Sequence, residues 1–182
     1  MLNSKAFKLY IYASAVSRLV WFTLMASVTI AQYKDVSPEM LSWLTLIGAV
    51  LSSGANWLME KKYDYFKSWM GAFLILDVLS TLLSTVGSIY YDPRFYISVS
   101  LTLHMFVDVF IMTVWEDYKQ RTGEGRAIQN QFGKVTGNGR ALGLVFGVVF
   151  ARYNLVPSYE VVMWWLVVSA TVTNILLYRV MK

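Results

Sequence analysis

The chain contains no cysteine, a single histidine and few charged residues for its size. The absence of cysteine excludes disulfide bonds and thiolate metal sites, and His104 alone cannot build a multi-histidine metal centre. Only 15% of the 182 residues are charged, whereas 57% are hydrophobic. A soluble domain of this size needs a more highly charged surface. We therefore expect a membrane-embedded protein without a metal or an organic cofactor.

Long stretches of apolar residues make up much of the sequence. A transmembrane helix needs about 20 predominantly apolar residues. The predicted spans are 9–32, 40–59, 69–90, 95–115, a fifth ending near residue 151, and 159–180. The sequence thus predicts an all-α membrane protein in which residues 1–182 form a single six-helix transmembrane domain.

The basic residues are distributed unevenly between the predicted loops. Ten lysines and arginines fall on the side of the N-terminus, and only Lys34, Arg94 and Arg152 fall on the other. The positive-inside rule then places both termini in the cytoplasm. The basic residues lie between apolar stretches and form no soluble basic patch, so the net charge of +5 does not indicate nucleic-acid binding. We expect an integral protein of a bacterial inner (cytoplasmic) membrane.

The segment RAIQNQFGKVTGNGRALGLVFGVVF, residues 126–150, begins like a soluble loop and ends like a membrane span. One polar stripe recurs at steps of three and four residues: Arg126, Asn130, Gly133, Gly137 and Arg140. The opposite side of the same helix is apolar: Ile128, Val135, Leu142 and Val149. Two opposed stripes favour one long fifth helix whose polar side faces a water-filled interior, and glycines four residues apart at 139, 143 and 147 permit close helix packing. The alternative is a surface amphipathic helix over 126–137 followed by an ordinary span.

Ionisable residues within spans are costly and commonly mark ion or substrate pathways. At about 1.5 Å per residue, Arg18 and Asp108 both lie about 12–14 Å from the cytoplasmic edge, and Asp77 has a similar depth. We predict that Arg18 pairs with Asp108. His104 precedes Asp108 by one helical turn and titrates near neutral pH, so the two side chains form a candidate proton relay. In the alternative interpretation they only lock the first and fourth helices together.

The other polar residues within the spans have two predicted roles. Asp77 is expected to make a structural hydrogen bond to a neighbouring helix, and Asn56 and Asn174 to hold helices together. Asn130, Lys134 and Arg140 join Arg18 in the interior if the fifth helix is long. Such a cationic cavity favours an anionic or zwitterionic solute.

Two features of the whole chain concern its architecture. Residues 9–19 (LYIYASAVSRL) and 95–105 (FYISVSLTLHM) align without gaps, which suggests an inverted three-plus-three repeat of the kind common in transporters.

The window NWLMEKKYDY, between the second and third spans, resembles the Gly-x-Leu-Ala-Asp-Arg-x-Gly-Arg-Lys signature of the major facilitator superfamily. Leu58, Glu60 and Lys61 occupy its leucine, acidic and basic positions, whereas Asn56 and Tyr63 replace its glycines.

The stretch GEGRAIQNQFGKVTGNGRALGLVFG also resembles the entry to the fifth, cavity-lining helix of that family. The resemblance implies one six-helix half, a cavity formed by helices one, two, four and five, and a conformational loop at Glu60 and Lys61. Because the family normally has twelve helices, it also implies a homodimer or a second six-helix half as partner.

The predicted function is secondary transport of a small solute. Coupling of this transport to protons is part of the hypothesis. The alternative is a membrane subunit without transport activity, with a regulatory, immunity or assembly role. An intramembrane enzyme is not expected, because no paired metal-ligand motif occurs and no serine nucleophile is in register with His104.

Overall fold

The structure is a computed structural model that describes residues 5–33, 38–153 and 158–182. Six α-helices make up most of these ranges, which contain no β-strand. They are α1 (Lys5–Tyr33), α2 (Pro38–Ser68), α3 (Met70–Tyr90), α4 (Pro93–Arg121), α5 (Gly125–Arg152) and α6 (Tyr159–Met181). The prediction of an all-α chain with six long helices is confirmed.

Three helices of the described part of the chain are long and apolar enough to cross a membrane. These segments are Met70–Tyr90, Phe95–Arg121 and Tyr159–Met181, each with a mean hydropathy of 1.8 over its most apolar window. Their lengths of 21, 27 and 23 residues match or exceed the span of a bilayer. The chain therefore has the helices of an integral membrane protein.

The helices form two compact units. One unit contains α1, α5 and α6, and the other contains α2, α3 and α4. The predicted inverted repeat instead divides the chain into its first three and last three helices. The compact units do not follow this division, because the first helix packs with the last two.

In the first unit, α1 and α5 run in the same direction. The rings of Tyr10 and Phe132 stack with their centroids 5.7 Å apart. Further along both helices, Thr23 Oγ1 donates a hydrogen bond to the carbonyl oxygen of Gly143 over 3.1 Å. Because the contacting residue numbers rise together, the two helices are parallel.

The third helix of this unit, α6, runs antiparallel to α1. The hydroxyl groups of Ser17 and Ser169 form a hydrogen bond. Val20, later in α1, packs against Val162, which comes earlier in α6. The contacting residue numbers therefore rise on one helix as they fall on the other.

In the second unit, α3 and α4 form an antiparallel hairpin. Near its open end, the rings of Phe73 and Phe110 stack at a centroid distance of 4.3 Å and an angle of 6°. Near the turn, Gly87 lies so close to the Tyr96 ring that a Cβ atom at Gly87 would lie 2.1 Å from Tyr96 Cγ. A small residue at position 87 is therefore necessary for the hairpin to close.

Helix α2 runs parallel to α4. Ser52 Oγ donates to the carbonyl oxygen of Met105 over 3.2 Å, and Tyr63 Oη donates to Asp117 Oδ2 over 2.5 Å. Both partners lie progressively further along their helices. The second unit thus has two parallel helices and one antiparallel helix, as does the first.

The loop expected between the second and third spans is not a loop. Glu60 and Lys61 are helical and exposed, and α2 continues through a kink at Lys62, where φ is −137° and ψ is 41°. The helix then runs to Ser68, and α3 begins at Met70. Phe66, beyond the kink, packs its ring on α4, which holds the segment in helical form. Glu60 and Lys61 thus lie in a helix directly before a kink, and their conformational role stays a prediction.

Candidate functional site

Small polar residues line the contact between α3 and α4. The buried polar side chains of α3 recur at helical spacing: Asp77, Ser80, Ser84, Thr85 and Ser88. From the opposite helix, Ser100 Oγ donates to the carbonyl oxygen of Ser80 over 2.8 Å. Hydroxyl groups of this kind join helices where the surroundings are apolar. This contact is named the serine seam below.

The serine seam contains an ionisable pair. His104 Nδ1 lies 2.6 Å from Asp77 Oδ1, a hydrogen bond between α4 and α3. The Asp77 side chain is only 10% exposed, whereas the His104 side chain is 49% exposed. An ionised carboxylate only accepts hydrogen bonds, so an ionised Asp77 takes this bond from the Nδ1–H group of His104. The pair therefore has a buried carboxylate end and an open imidazole end.

Asp108 lies one turn beyond His104 on α4 and is exposed. Residues four apart in a helix share a face, so this carboxylate flanks the imidazole of His104. The sequence links His104 to Asp108 and predicts a structural hydrogen bond for Asp77. The structure brings Asp77 to the same imidazole, so that two carboxylates neighbour one histidine.

The Asp77–His104 contact follows from the symmetry of the hairpin. Asp77 lies 13 residues before the end of α3 at Tyr90, and His104 lies 11 residues after the start of α4 at Pro93. Two antiparallel helices joined by a short turn bring together residues that are nearly equidistant from it. The sequence alone contains this signal, because the turn at YYDPR is short.

Arg18, on α1, is the other predicted pathway residue deep in a helix. Its side chain is half-buried, and its guanidinium carbon lies 5.8 Å from the centroid of the Phe132 ring on α5. The predicted ion pair between Arg18 and Asp108 would join residues of different units and stays a prediction. Within its own unit, Arg18 contacts an aromatic ring.

The predicted polar stripe lies on a single unbroken helix, α5, and not on a surface helix followed by a separate span. Within the first unit, however, the stripe is exposed: Arg126, Asn130, Gly133, Gly137 and Arg140. Lys134 is exposed as well. A different face of α5 packs against α1, and the orientation of the stripe toward a water-filled interior stays a prediction.

Glycine brings that packed face of α5 onto α1. A Cβ atom at Gly139 would lie 2.4 Å from the backbone oxygen of Ala15. Gly143 and Gly147, spaced by four residues, are buried on the same face. The predicted close packing through these glycines agrees with this contact, which is named the glycine seam below.

The predicted structural asparagines differ in burial. Asn174 is half-buried on α6, whereas Asn56 is exposed on α2. The face of α2 that contacts α4 contains Gly48 and Ser52, both next to Met105. Asn56 follows Ser52 by one helical turn and is exposed, and its role in joining two helices stays a prediction.

Among the described residues, no group of three or more His, Asp or Glu side chains is placed to hold a metal ion. Comparisons of the chain with models of protein families, with curated proteins and with solved structures find no match. The resemblance to the major facilitator superfamily thus stays a prediction from the two motif segments.

Proposed function

We propose that the protein is a secondary transporter of a small solute, coupled to protons and working as a homodimer in a bacterial cytoplasmic membrane. The observation that carries the proposal is the Asp77–His104 pair, which joins two apolar helices long enough to cross a bilayer. Ionisable groups at such depth are rare and are characteristic of proton and substrate pathways.

The helix directions support six membrane crossings. In a chain that crosses six times, odd-numbered helices run one way and even-numbered helices run the other. The first unit has α1 and α5 parallel with α6 reversed. The second has α2 and α4 parallel with α3 reversed. Both patterns agree with alternating crossings and with the bias of basic residues toward the side of the termini.

The Asp77–His104 pair binds one exchangeable proton at a defined atom. Because Nδ1–H of His104 donates to Asp77, the remaining ring nitrogen, Nε2, is the atom that gains and loses a proton. Protonation at Nε2 changes the pair from one negative charge to zero net charge. Histidine is the side chain whose unperturbed titration lies nearest to neutral pH, so this change is accessible in a cell.

The exposure of His104 distinguishes this role from a purely structural one. A pair that only held α3 against α4 would be most stable with both partners enclosed. Here 49% of the histidine side chain is exposed, and Asp108 stands one turn away on the same face. A proton leaving Nε2 therefore has an acceptor close by, which is the arrangement of a proton relay.

Coupling follows from the change in charge. A carboxylate–imidazole pair with a net negative charge is costly in an apolar environment, and the protonated, neutral pair is less so. The conformational change of a transporter moves such a site between two sides of the membrane. We propose that the protein changes conformation most readily when His104 is protonated, and thereby links solute movement to proton movement.

A homodimer is the proposed assembly. Six helices correspond to one half of the twelve-helix transporters that the sequence resembles. Two copies around an axis along the membrane normal supply the missing half. The expected measurement is a dimer mass for the purified chain in lipid nanodiscs, and a monomer there contradicts this part of the proposal.

Proteoliposomes test transport directly. The full chain is reconstituted with a pH-sensitive dye inside, and a pH gradient is applied with labelled succinate, inorganic phosphate, glutamate or alanine outside. We expect gradient-driven uptake of at least one solute, accompanied by proton movement. His104→Gln and Asp77→Asn should abolish proton coupling, and Asp108→Asn should weaken it.

Asp64→Asn is the matched control, because Asp64 is an exposed carboxylate on α2 of the same unit. This variant should behave like the unaltered chain. Coupling that survives in His104→Gln contradicts the proposal. Absence of any flux, with the dimer intact, favours the alternative of a membrane subunit without transport activity, whose partner would contact the exposed polar stripe of α5.

A further inference from the structure

We propose that the pair of helices α1 and α5 binds the transported solute through an oxyanion group, a carboxylate or a phosphate, held between Arg18 and Arg140. This inference rests on the proposed transport function and names the class of solute. Four observations within the first unit carry it, and each concerns only these helices.

The charge of the two helices is of one sign. Neither α1 nor α5 contains an aspartate or a glutamate. Their basic residues number seven: Lys5, Lys8, Arg18, Arg126, Lys134, Arg140 and Arg152. In α6, the third helix of the unit, the sole acidic residue is Glu160, in the first turn. The charged residues in the middle of the two helices are therefore all basic.

The register of the helices places Arg18 and Arg140 at one level. Ala15 meets Gly139 through the backbone, and Thr23 bonds to Gly143 further along. Arg18 lies between Ala15 and Thr23, and Arg140 lies between Gly139 and Gly143. The two contacts thus bracket both arginines.

The helical rotation places both arginines on the same flank. At about 100° per residue, Arg18 is rotated about 60° backward from Ala15, and Arg140 about 100° forward from Gly139. Opposite rotations on two parallel helices that face each other point to the same side.

The Arg18 side chain packs on an aromatic ring. Its guanidinium lies over the Phe132 ring at 5.8 Å, and that ring stacks on Tyr10 with an angle of 15° between planes. Tyr10 is buried, so the aromatic base is fixed. A guanidinium positioned on an aromatic face keeps its N–H groups free in its own plane for a ligand.

Two guanidinium groups that repel each other are stabilised by an anion between them. Carboxylate and phosphate groups suit this arrangement, since guanidinium binds their planar oxygen pairs through two parallel hydrogen bonds. Arg140 is exposed and Arg18 is half-buried, so a small solute reaches both. The site therefore selects the charged group of the solute, and the remainder of the solute extends along the polar stripe.

Binding to the purified full chain tests this site without any gradient. The probes are succinate and inorganic phosphate, with succinamide as the uncharged match of succinate, at constant ionic strength in detergent. We expect succinate or phosphate to bind and to raise the midpoint temperature of unfolding, and succinamide to do neither. Binding by succinate alone assigns a carboxylate, and binding by phosphate alone assigns a phosphate.

Substitutions test the assignment of residues. Arg18→Gln and Arg140→Gln should each weaken binding by about tenfold to a hundredfold, as expected for the loss of hydrogen bonds between charged groups. Arg18→Lys should weaken binding less than Arg18→Gln, because charge remains although the paired hydrogen bonds are lost. Arg152→Gln is the matched control: it removes an exposed arginine from the last turn of α5 and should leave the affinity unchanged.

Equal affinity in the unaltered chain, Arg18→Gln and Arg140→Gln overturns the site, as does the absence of binding by both anions. These outcomes are separate from failure of the proposed transport function. Anion binding without flux in proteoliposomes retains the site and contradicts transport. Proton-coupled flux of an uncharged solute, without anion binding, retains transport and contradicts the site.

Discussion

The glycine seam between α1 and α5 and the serine seam between α3 and α4 hold their helix pairs together in two different ways. In the glycine seam, the backbone of α1 lies directly against Gly139, and the helices carry basic charge alone. In the serine seam, the hydroxyl group of Ser100 bridges the helices, and a carboxylate pairs with an imidazole. One seam relies on close approach and the other on hydrogen bonds.

The difference bears on function because each seam supports a different chemistry. Close backbone approach at Gly139 leaves no room for a side chain at that point, and Arg18 and Arg140 lie to one side of it, at the proposed anion site. Hydrogen bonding between α3 and α4 tolerates a buried carboxylate, because His104 satisfies it. The proposed anion site and the proposed proton site thus follow from how each helix pair packs.

The largest expected effect comes from adding one methyl group to the glycine seam. Gly139→Ala places a Cβ atom 2.4 Å from a backbone oxygen of Ala15, which cannot move as a side chain would. Overpacking of this kind costs about 1–3 kcal/mol of unfolding free energy. Gly137→Ala, where nothing lies within 4 Å, is the matched control. It should gain up to about 1 kcal/mol from helix propensity. Equal unfolding midpoints for the two variants would contradict close backbone packing at Gly139.

The ionisable pair of the serine seam should give the next largest effect. Asp77→Ala removes the acceptor of the His104 hydrogen bond, and hydrogen bonds to charged groups contribute about 1.5–3 kcal/mol. Asp108→Ala, which removes an exposed carboxylate one turn from the same imidazole, should change the unfolding free energy by less than about 0.5 kcal/mol. Chemical denaturation of both variants in micelles measures the difference. A larger loss for Asp108→Ala contradicts the assignment of Asp77 as the partner of His104.

A smaller effect is expected where α2 continues beyond its kink. Tyr63→Phe removes the hydrogen bond to Asp117 and should cost about 1 kcal/mol, leaving the contact of Lys67 with the same carboxylate at 3.5 Å. Amide hydrogen exchange over residues 63–68 should accelerate. Tyr65→Phe is the control, since Tyr65 is 57% exposed. Unchanged exchange in Tyr63→Phe would show that aromatic packing alone holds this segment.

The smallest effects concern single hydroxyl groups. Thr23→Val in the glycine seam and Ser100→Ala in the serine seam each remove one hydrogen bond to a carbonyl oxygen of another helix. Bonds of this kind in membrane proteins average about 0.6 kcal/mol. We expect similar losses for both variants in thermal unfolding. A loss several times larger in the serine seam would mean that its hydroxyl groups act together.

The sequence predicts the helices well because their signals are local. Runs of apolar residues bounded by short turns define each element, and α5 is recognisable from its two opposed stripes despite its polar first half. The spacing of Gly139, Gly143 and Gly147 also predicts close packing, since only glycine allows the backbones to touch. These features depend on residues near one another in the chain.

Partners between helices are harder to predict because they depend on register. Asp77 was expected to bond to some neighbouring helix, but its partner, His104, becomes evident only once α3 and α4 are aligned about their turn. The polar stripe of α5 is predicted to face a water-filled interior, and that orientation depends on how the helices surround it. The glycine face of α5 packs on α1, as its spacing predicts.

Measuring the protonation of His104 is the most direct test of the proposed proton site. His104 is the only histidine in the sequence, so its signals are unambiguous. With 15N-labelled histidine, NMR of the full chain in nanodiscs gives a single pair of imidazole nitrogen signals. We predict that Nδ1 stays protonated across the neutral pH range while the Nε2 signal titrates, since histidine changes charge in this range. In Asp77→Asn, this preference for a protonated Nδ1 should be lost. A neutral imidazole protonated at Nε2, or signals that do not move over this range, would contradict a proton site at the Asp77–His104 pair.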